Sequence, residues 1–123
     1  MKNRVICSQL ELIHISDIEK MEMNQVEVKP EKKFLQLILE GKADYSNQSQ
    51  QTSAGTILNE TVKAKIKYGS DLAFIDSALK YYVLRLYTDS GSFLVGSIDY
   101  PSELTYNENK VYINITFKSS KPI

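Results

Sequence analysis

The clearest pattern in the chain is an alternation of apolar and polar residues near its C-terminal end. A repeat of two residues places successive side chains on opposite faces of a β-strand, and segment 110–118 keeps this repeat. Turn residues at 107–109 separate it from a second alternating segment at 103–106, so we predict a hairpin. The side chains expected to face a common core are Val111, Ile113, Ile115, Phe117, Leu84 and Leu86.

A second hairpin and a long strand are predicted upstream. Segments 82–87 and 92–98 flank a turn that contains Gly91, which can adopt a positive φ. Gly96 lies inside the second of these strands and indicates a bulge or a close neighbour. Segment 56–68 carries apolar residues on one parity and a comb of lysines on the other, as expected for a strand with one solvated face.

The remaining segments are less regular. Segment 34–40 is almost continuously apolar, which is typical of a strand buried on both faces. Segment 5–15 predicts a strand whose apolar parity shifts near Gln9. Apolar residues recur at helical spacing over 71–79, after serine and aspartate residues that can cap a helix. We therefore predict one short helix in this region.

A strongly polar run lies between two of the predicted strands. Its members are Ser46, Asn47, Gln48, Ser49, Gln50, Gln51, Thr52 and Ser53. A segment without apolar side chains has little reason to pack on a core, so we predict a long, mobile hairpin loop over 46–54. Its amide-rich composition fits disorder as well as it fits later pairing with a partner.

Together these elements predict a single β-rich domain over 1–123. The expected class is mainly β (α+β): an antiparallel β-sandwich or barrel, one short flanking helix near 71–79 and the polar hairpin loop.

Composition excludes several classes of protein. The 123 residues include 15 Lys or Arg and 15 Asp or Glu, which gives a formal net charge of zero. This balance argues against a strongly basic module, and no sequence-specific nucleic acid is expected as a partner. No apolar run is long enough for a signal peptide or a membrane span. We therefore expect a cytoplasmic location in the producing cell and no membrane partner.

Residues that usually perform catalysis or bind metals are scarce. Cys7 and His14 are the only residues of their types, and they fall on opposite parities of one predicted strand. A nucleophilic thiol needs a nearby base, and a metal site needs several ligands. We interpret Cys7 as a small buried hydrophobe and His14 as a structural or surface residue. No catalytic residue, cofactor or metal site is predicted.

The eight tyrosines carry more functional weight. Aromatic rings beside basic residues on a sheet can stack nucleic-acid bases. Tyrosines also occupy the rim of a sandwich or an interface in which the ring is buried and the hydroxyl contacts water. Zero net charge favours the rim or the interface. The candidate interface aromatics are Tyr81, Tyr87, Tyr100 and Tyr112.

The C-terminal third resembles a known group of proteins. From Leu86 onward the chain reads Leu-Tyr-Thr-Asp-Ser-Gly-Ser-Phe-Leu-Val-Gly, then Tyr-Pro-Ser-Glu-Leu-Thr-Tyr, then Val-Tyr-Ile-Asn-Ile-Thr-Phe. Over 86–123 this resembles small prophage-encoded proteins and, more loosely, the C-terminal half of phage tail-tube and related tail or neck proteins. The resemblance implies a β-sandwich or barrel with one flanking helix, a flexible hairpin loop that reaches the next subunit, and no catalytic residue.

Three hypotheses follow for function. The first is a non-enzymatic structural protein of phage or prophage origin that self-associates or docks into a larger assembly, with 46–53 as its assembly arm. Its partners would be copies of itself or other assembly subunits, and its location would extend to the virion. The alternative is a monomeric β-sandwich module that binds a carbohydrate or a peptide. A small enzyme is the third, because a site can lack a recognisable motif.

Overall fold

The computed structural model describes residues 2–22, 25–67, 80–108 and 111–123. The strands in these ranges are β1 (Lys2–Cys7), β2 (Gln9–His14), β3 (Ile18–Glu22), β4 (Gln25–Val28), β5 (Leu35–Leu37), β6 (Ala43–Thr52), β7 (Gly55–Lys67), β8 (Tyr81–Thr88), β9 (Gly91–Val95), β10 (Ser102–Glu108) and β11 (Tyr112–Pro122). All of their pairings are antiparallel. The predicted antiparallel β class is confirmed, while the predicted helix over 71–79 lies outside the described residues.

Nine strands of the described residues form the main sheet, in the order β1-β6-β7-β11-β10-β8-β2-β5, and the ninth, β9, pairs with β8. Both predicted hairpins form, one from β8 and β9 and one from β10 and β11. The sheet is not closed. Among the described residues, no helix is long and apolar enough to cross a membrane.

The first two strands are halves of one extended segment that changes its partner at Ser8. β1 pairs with β6, whereas β2 pairs with β8, and the Ser8 N–H donates to the Tyr87 carbonyl oxygen at 2.8 Å. Cys7 and Leu10 are both fully buried although they differ in parity. The predicted parity shift near Gln9 is therefore confirmed. Because this one segment, β1 followed by β2, pairs with both β6 and β8, strands from distant parts of the sheet pack into the same core.

That core lies on one face of the main sheet. The largest side chains that are fully buried in it are Phe117, Leu10, Ile66, Leu84, Leu86, Ile113 and Ile115. Ile113 pairs with Ile66 across β11 and β7, as the alternation requires. Val111, in contrast, is 58% exposed. Its predicted inward orientation is wrong because the ladder with β7 ends at Tyr112, one residue further along.

A smaller core lies on the opposite face of β2 and β8. The β3–β4 hairpin covers this face and buries Ile13, Ile18 and Val83. The residues before β3, Ile15–Asp17, form a single 3-10 turn. As a result β8 is buried on both faces, and Tyr82, Val83 and Leu84 are consecutive buried residues.

The apolar segment 34–40 is not the doubly buried strand that its composition predicts. Only Leu35–Leu37 forms a strand, and Ile38 is 76% exposed. β5 lies at the edge of the sheet and pairs only with β2 among the described residues. Beyond β5 an isolated bridge joins Leu39 to β7. Leu37 faces the core, and Ile38 beside it faces solvent because successive side chains of an extended segment point to opposite sides.

The polar segment 46–53 is also a strand rather than a loop. β6 continues to Thr52 and pairs with β7 as far as Gly55, which leaves only a two-residue turn. On its other edge, β6 pairs with β1 as far as Gln48. The loop prediction is wrong because it considered side chains alone. Backbone hydrogen bonds to β7, and as far as Gln48 also to β1, hold this segment although it carries no apolar side chain.

Candidate functional site

The outer part of the β6–β7 hairpin extends past the core. We call residues 46–61 the polar hairpin. The last core residues before it are Tyr45 and Val62, and residues 48–52 of β6 are all exposed. Alternation along β6 places one set of polar side chains on each face. The eight residues predicted as an assembly arm therefore lie together in an ordered hairpin and its turn.

Side-chain hydrogen bonds preset the shape of the polar hairpin. Asn59 Nδ2 donates to Gln50 Oε1 at 3.0 Å, and Ser120 Oγ donates to Asn59 Oδ1 at 2.6 Å. At the turn, Thr52 Oγ1 donates to the Gly55 carbonyl oxygen at 2.7 Å and accepts from the Ala54 N–H at 3.2 Å. The Gln50 and Asn59 amides are thus held in place within the hairpin.

A buried polar cluster anchors the polar hairpin to the core. The Tyr45 hydroxyl donates to Glu60 Oε2 at 2.6 Å and accepts from Asn47 Nδ2 at 2.9 Å. Burial and the hydrogen bond to Glu60 raise the pKa of Tyr45 to about 12. Ser119 faces Glu60 across β11 and β7, and its buried hydroxyl has no hydrogen-bond partner among the described residues.

The solvent-facing side of β1, β6, β7, β11 and β10 forms a second candidate surface, which we call the outer polar face. Two adjoining cavities of about 390 and 520 Å³ lie on it, and Asp44 and Lys63 line both. Most of the lining residues are polar. The amide and hydroxyl side chains among them are Ser46, Asn47, Gln48, Asn59, Thr61, Asn107, Asn114 and Thr116.

The outer polar face is rich in cations. Its cationic residues are Arg4, Lys42, Lys63, Lys65, Lys67 and Lys118. Arg4 forms two hydrogen bonds to the Asp44 carboxylate, at 2.8 and 2.6 Å, and this pairing raises the pKa of Arg4. Within the described part of the chain, none of the five lysines forms an ion pair. The predicted lysine comb of β7 is confirmed as exposed.

The four candidate tyrosines do not form one patch. Tyr81 and Tyr87 lie at opposite ends of β8, and both are at least partly exposed. Tyr100 is in the connection between β9 and β10, and Tyr112 begins β11 beneath Lys65, whose Nζ is 5.7 Å from the ring centroid. The Tyr87 hydroxyl donates to Glu11 at 2.7 Å, which raises the pKa of Tyr87.

Cys7 and His14 occupy separate environments. Cys7 is buried, and burial raises the pKa of its thiol, with a smaller effect from Asp44. His14 Nδ1 lies 2.7 Å from Ser16 Oγ, and its ring meets that of Tyr82 edge-on. In the described ranges, no three His, Cys, Asp or Glu side chains come together as a metal site would require.

The sequence analysis did not predict the Tyr45–Glu60 hydrogen bond. It also did not predict that lysine and amide side chains lie together on the outer polar face. The comb on β7 was visible as a repeat of two. Lys118 enters the same surface only because β11 pairs with β7, opposite Thr61. No local signal in the sequence specifies that pairing.

No family model, curated protein or solved structure matches the chain. The phage-like resemblance of residues 86–123 stays a prediction.

Proposed function

We propose that the protein is a non-enzymatic structural protein, of phage or prophage type, that docks into a larger assembly through the polar hairpin. Its partners are copies of itself or other subunits of that assembly. The observation that carries the proposal is the extension of β6 past the core, where residues 48–52 are all polar and exposed, in a hairpin with β7.

The polar hairpin is costly to order and adds little to the core. Segment 46–52 of β6 carries no apolar side chain and gains little from the hydrophobic effect, yet it is held by β1, β7 and its own amide contacts. Ordering before contact lowers the entropy lost on binding. Exposed amides and hydroxyls suit a polar, partly hydrated interface with a partner.

The edge of β1 gives the proposal a second support. Among the described residues, β1 pairs only with β6, and Val5 and Ile6 on it are exposed. An edge strand offers backbone N–H and C=O groups to an added strand. The polar hairpin and this edge belong to the same end of the sheet, so one partner can contact both.

Shortening the polar hairpin tests the proposal. Gln50 and Ile57 are paired residues, so Asn-Gly can replace segment 51–56 as a two-residue turn between them. The turn moves by two residues along each strand, and the alternation of side chains is kept. A matched control changes the β8–β9 turn with Asp89→Asn and Ser90→Gly, which leaves the polar hairpin intact.

We expect the shortened variant to keep its melting temperature, because segment 51–56 contributes no buried side chain to the core. Its association, measured by sedimentation at matched concentrations, should be weaker than that of the wild type and the control. Equal association in all three proteins would remove the polar hairpin from the mechanism. A wild type that is monomeric up to about millimolar concentration, where even weak contacts are populated, would overturn self-association and count in favour of the monomeric binding module.

A further inference from the structure

Strand register arranges the cations of the outer polar face in successive rows. Lys118 of β11 lies between Thr61 and Glu103 in the first row. Lys63 of β7 lies between Asp44 and Thr116 in the second. Lys65 follows in the third, opposite Asn114. Neighbours in a row are about 4.8 Å apart and successive rows about 7 Å apart, so positive charge recurs along the face.

Carboxylates on this face do not balance the lysines. Asp44 is engaged by Arg4, and the other acidic residues of the face are Glu40 and Glu103. The chain as a whole is neutral, so its charge is unevenly distributed and this face carries a positive excess. An anionic ligand complements it.

The amide side chains near the lysines can form hydrogen bonds with sugar hydroxyls. Asn114 Nδ2 donates to Asn107 Oδ1 at 3.1 Å, and the remaining donor and acceptor of this amide pair have no partner in the described ranges. Amides can both donate and accept hydrogen bonds, as sugar hydroxyls can. Further amide and hydroxyl groups line the adjoining cavity.

Two observations argue against a nucleic acid on this face. No aromatic side chain of the described residues lines either cavity, and Tyr112 on the same face lies beneath Lys65, whereas proteins that bind single strands stack bases on exposed aromatic rings. The single arginine of the face is already paired with Asp44, so the bidentate group that best recognises phosphate is occupied.

We infer that the outer polar face binds an acidic polysaccharide, with Lys63, Lys65 and Lys118 pairing with its carboxylates and the Asn107–Asn114 pair contacting its hydroxyls. This site is distinct from the tip of the polar hairpin. The variant that shortens segment 51–56 leaves both cavity linings intact and should bind the polysaccharide like the wild type.

The probe is polygalacturonate, measured against the full chain by titration calorimetry. Neutral dextran, a thymidine oligonucleotide and polyglutamate of matched charge serve as comparison ligands. We expect saturable binding of polygalacturonate that weakens as salt is raised, weaker binding of the oligonucleotide and polyglutamate, and none of dextran. Absence of saturable polygalacturonate binding would overturn the inference, as would tighter binding of either comparison polyanion.

Two triple variants distinguish binding at a defined site from a general effect of the protein's net charge. Lys63→Gln, Lys65→Gln and Lys118→Gln together should weaken polygalacturonate binding about tenfold, because each lost exposed ion pair accounts for about twofold or somewhat more. The control replaces Lys20, Lys29 and Lys33 with Gln, which changes the net charge equally away from this face. Its affinity should stay close to that of the wild type, and an equal loss in both variants would contradict a defined site.

Asn114→Ala tests recognition of hydroxyls without a change in charge. It should weaken the binding of polygalacturonate and leave that of polyglutamate unchanged, since polyglutamate carries carboxylates but no hydroxyl groups. An equal effect on both ligands would show that the Asn114 amide does not hydrogen-bond to sugar hydroxyls, and would overturn the choice of a polysaccharide.

Discussion

The Tyr45 hydroxyl donates a 2.6 Å hydrogen bond to Oε2 of Glu60, a carboxylate that is only 6% exposed. The contact joins β6 to β7 at the point where the core ends and the polar hairpin begins. A buried carboxylate is costly unless donors satisfy it. The base of the projecting hairpin is therefore fixed by a polar contact rather than by apolar packing alone.

Tyr45→Phe removes the donor while keeping the ring in place. We expect a loss of about 1–3 kcal/mol in the free energy of unfolding at neutral pH, because Glu60 stays buried without its partner. Tyr106→Phe, on an exposed tyrosine, is the control and should change little. Urea unfolding measures both, and a Tyr45→Phe variant as stable as the control would contradict the role of this hydrogen bond.

The same residue predicts a loss of stability at alkaline pH. The pKa of Tyr45 is about 12 in the folded protein, above its ordinary value of 10.0. The folded state therefore holds the phenol proton more tightly than the unfolded state. This stabilisation is present below pH 10 and is lost as the pH rises towards 12. Between these values, the stability of Tyr45→Phe should fall less steeply than that of the wild type. Equal slopes would show that Tyr45 titrates normally.

Ile113 and Val111 share a parity but not an environment. Ile113 is fully buried, whereas Val111 is exposed. Ile113→Ala should cost about 2–4 kcal/mol through lost burial and the cavity that remains. Val111→Ala should change stability by less than about 0.5 kcal/mol. Thermal and denaturant unfolding compare the two, and similar costs would contradict the register of β11.

Gly96 follows β9 with a φ of +86°. A Cβ at this position would lie 2.8 Å from Ser102 Oγ and 2.9 Å from the Ser102 backbone nitrogen, which confirms the close neighbour predicted from the sequence. Gly96→Ala should destabilise the protein through both strain and collision. Gly91→Ala is the matched control, because its φ is also positive but no atom lies near its added Cβ. If the control lost as much stability as Gly96→Ala, the collision would have no effect.

The unpartnered Ser119 hydroxyl predicts a substitution that does not weaken the fold. Burying a hydroxyl without a hydrogen bond is unfavourable, so Ser119→Ala should leave the melting temperature unchanged or raise it. Ser102→Ala is the comparison, since Ser102 Oγ lies within hydrogen-bonding distance of the Val95 carbonyl oxygen. A clear loss of stability in Ser119→Ala would show that the hydroxyl has a partner.

Patterns in the sequence determined much of the β-structure of this chain. The repeat of two around Ile113 and along β7 predicted strands, and turn residues predicted the β8–β9 and β10–β11 hairpins. Such patterns succeed because the direction of a side chain depends on its neighbours in the same strand. The parity shift near Gln9 was readable for the same reason.

The tertiary structure alone decided which strands became neighbours. It made a strand of the polar segment, because β1 and β7 supply backbone hydrogen bonds that no side-chain pattern encodes. It also left the outward side of the chain uncovered at Ile38, so that this residue is exposed despite its apolar neighbours in the sequence. Finally, the pairing of β7 with β11 placed Lys118 on the same face as Lys63. Contacts between segments far apart in the chain arise from pairing and burial, which local periodicity does not specify.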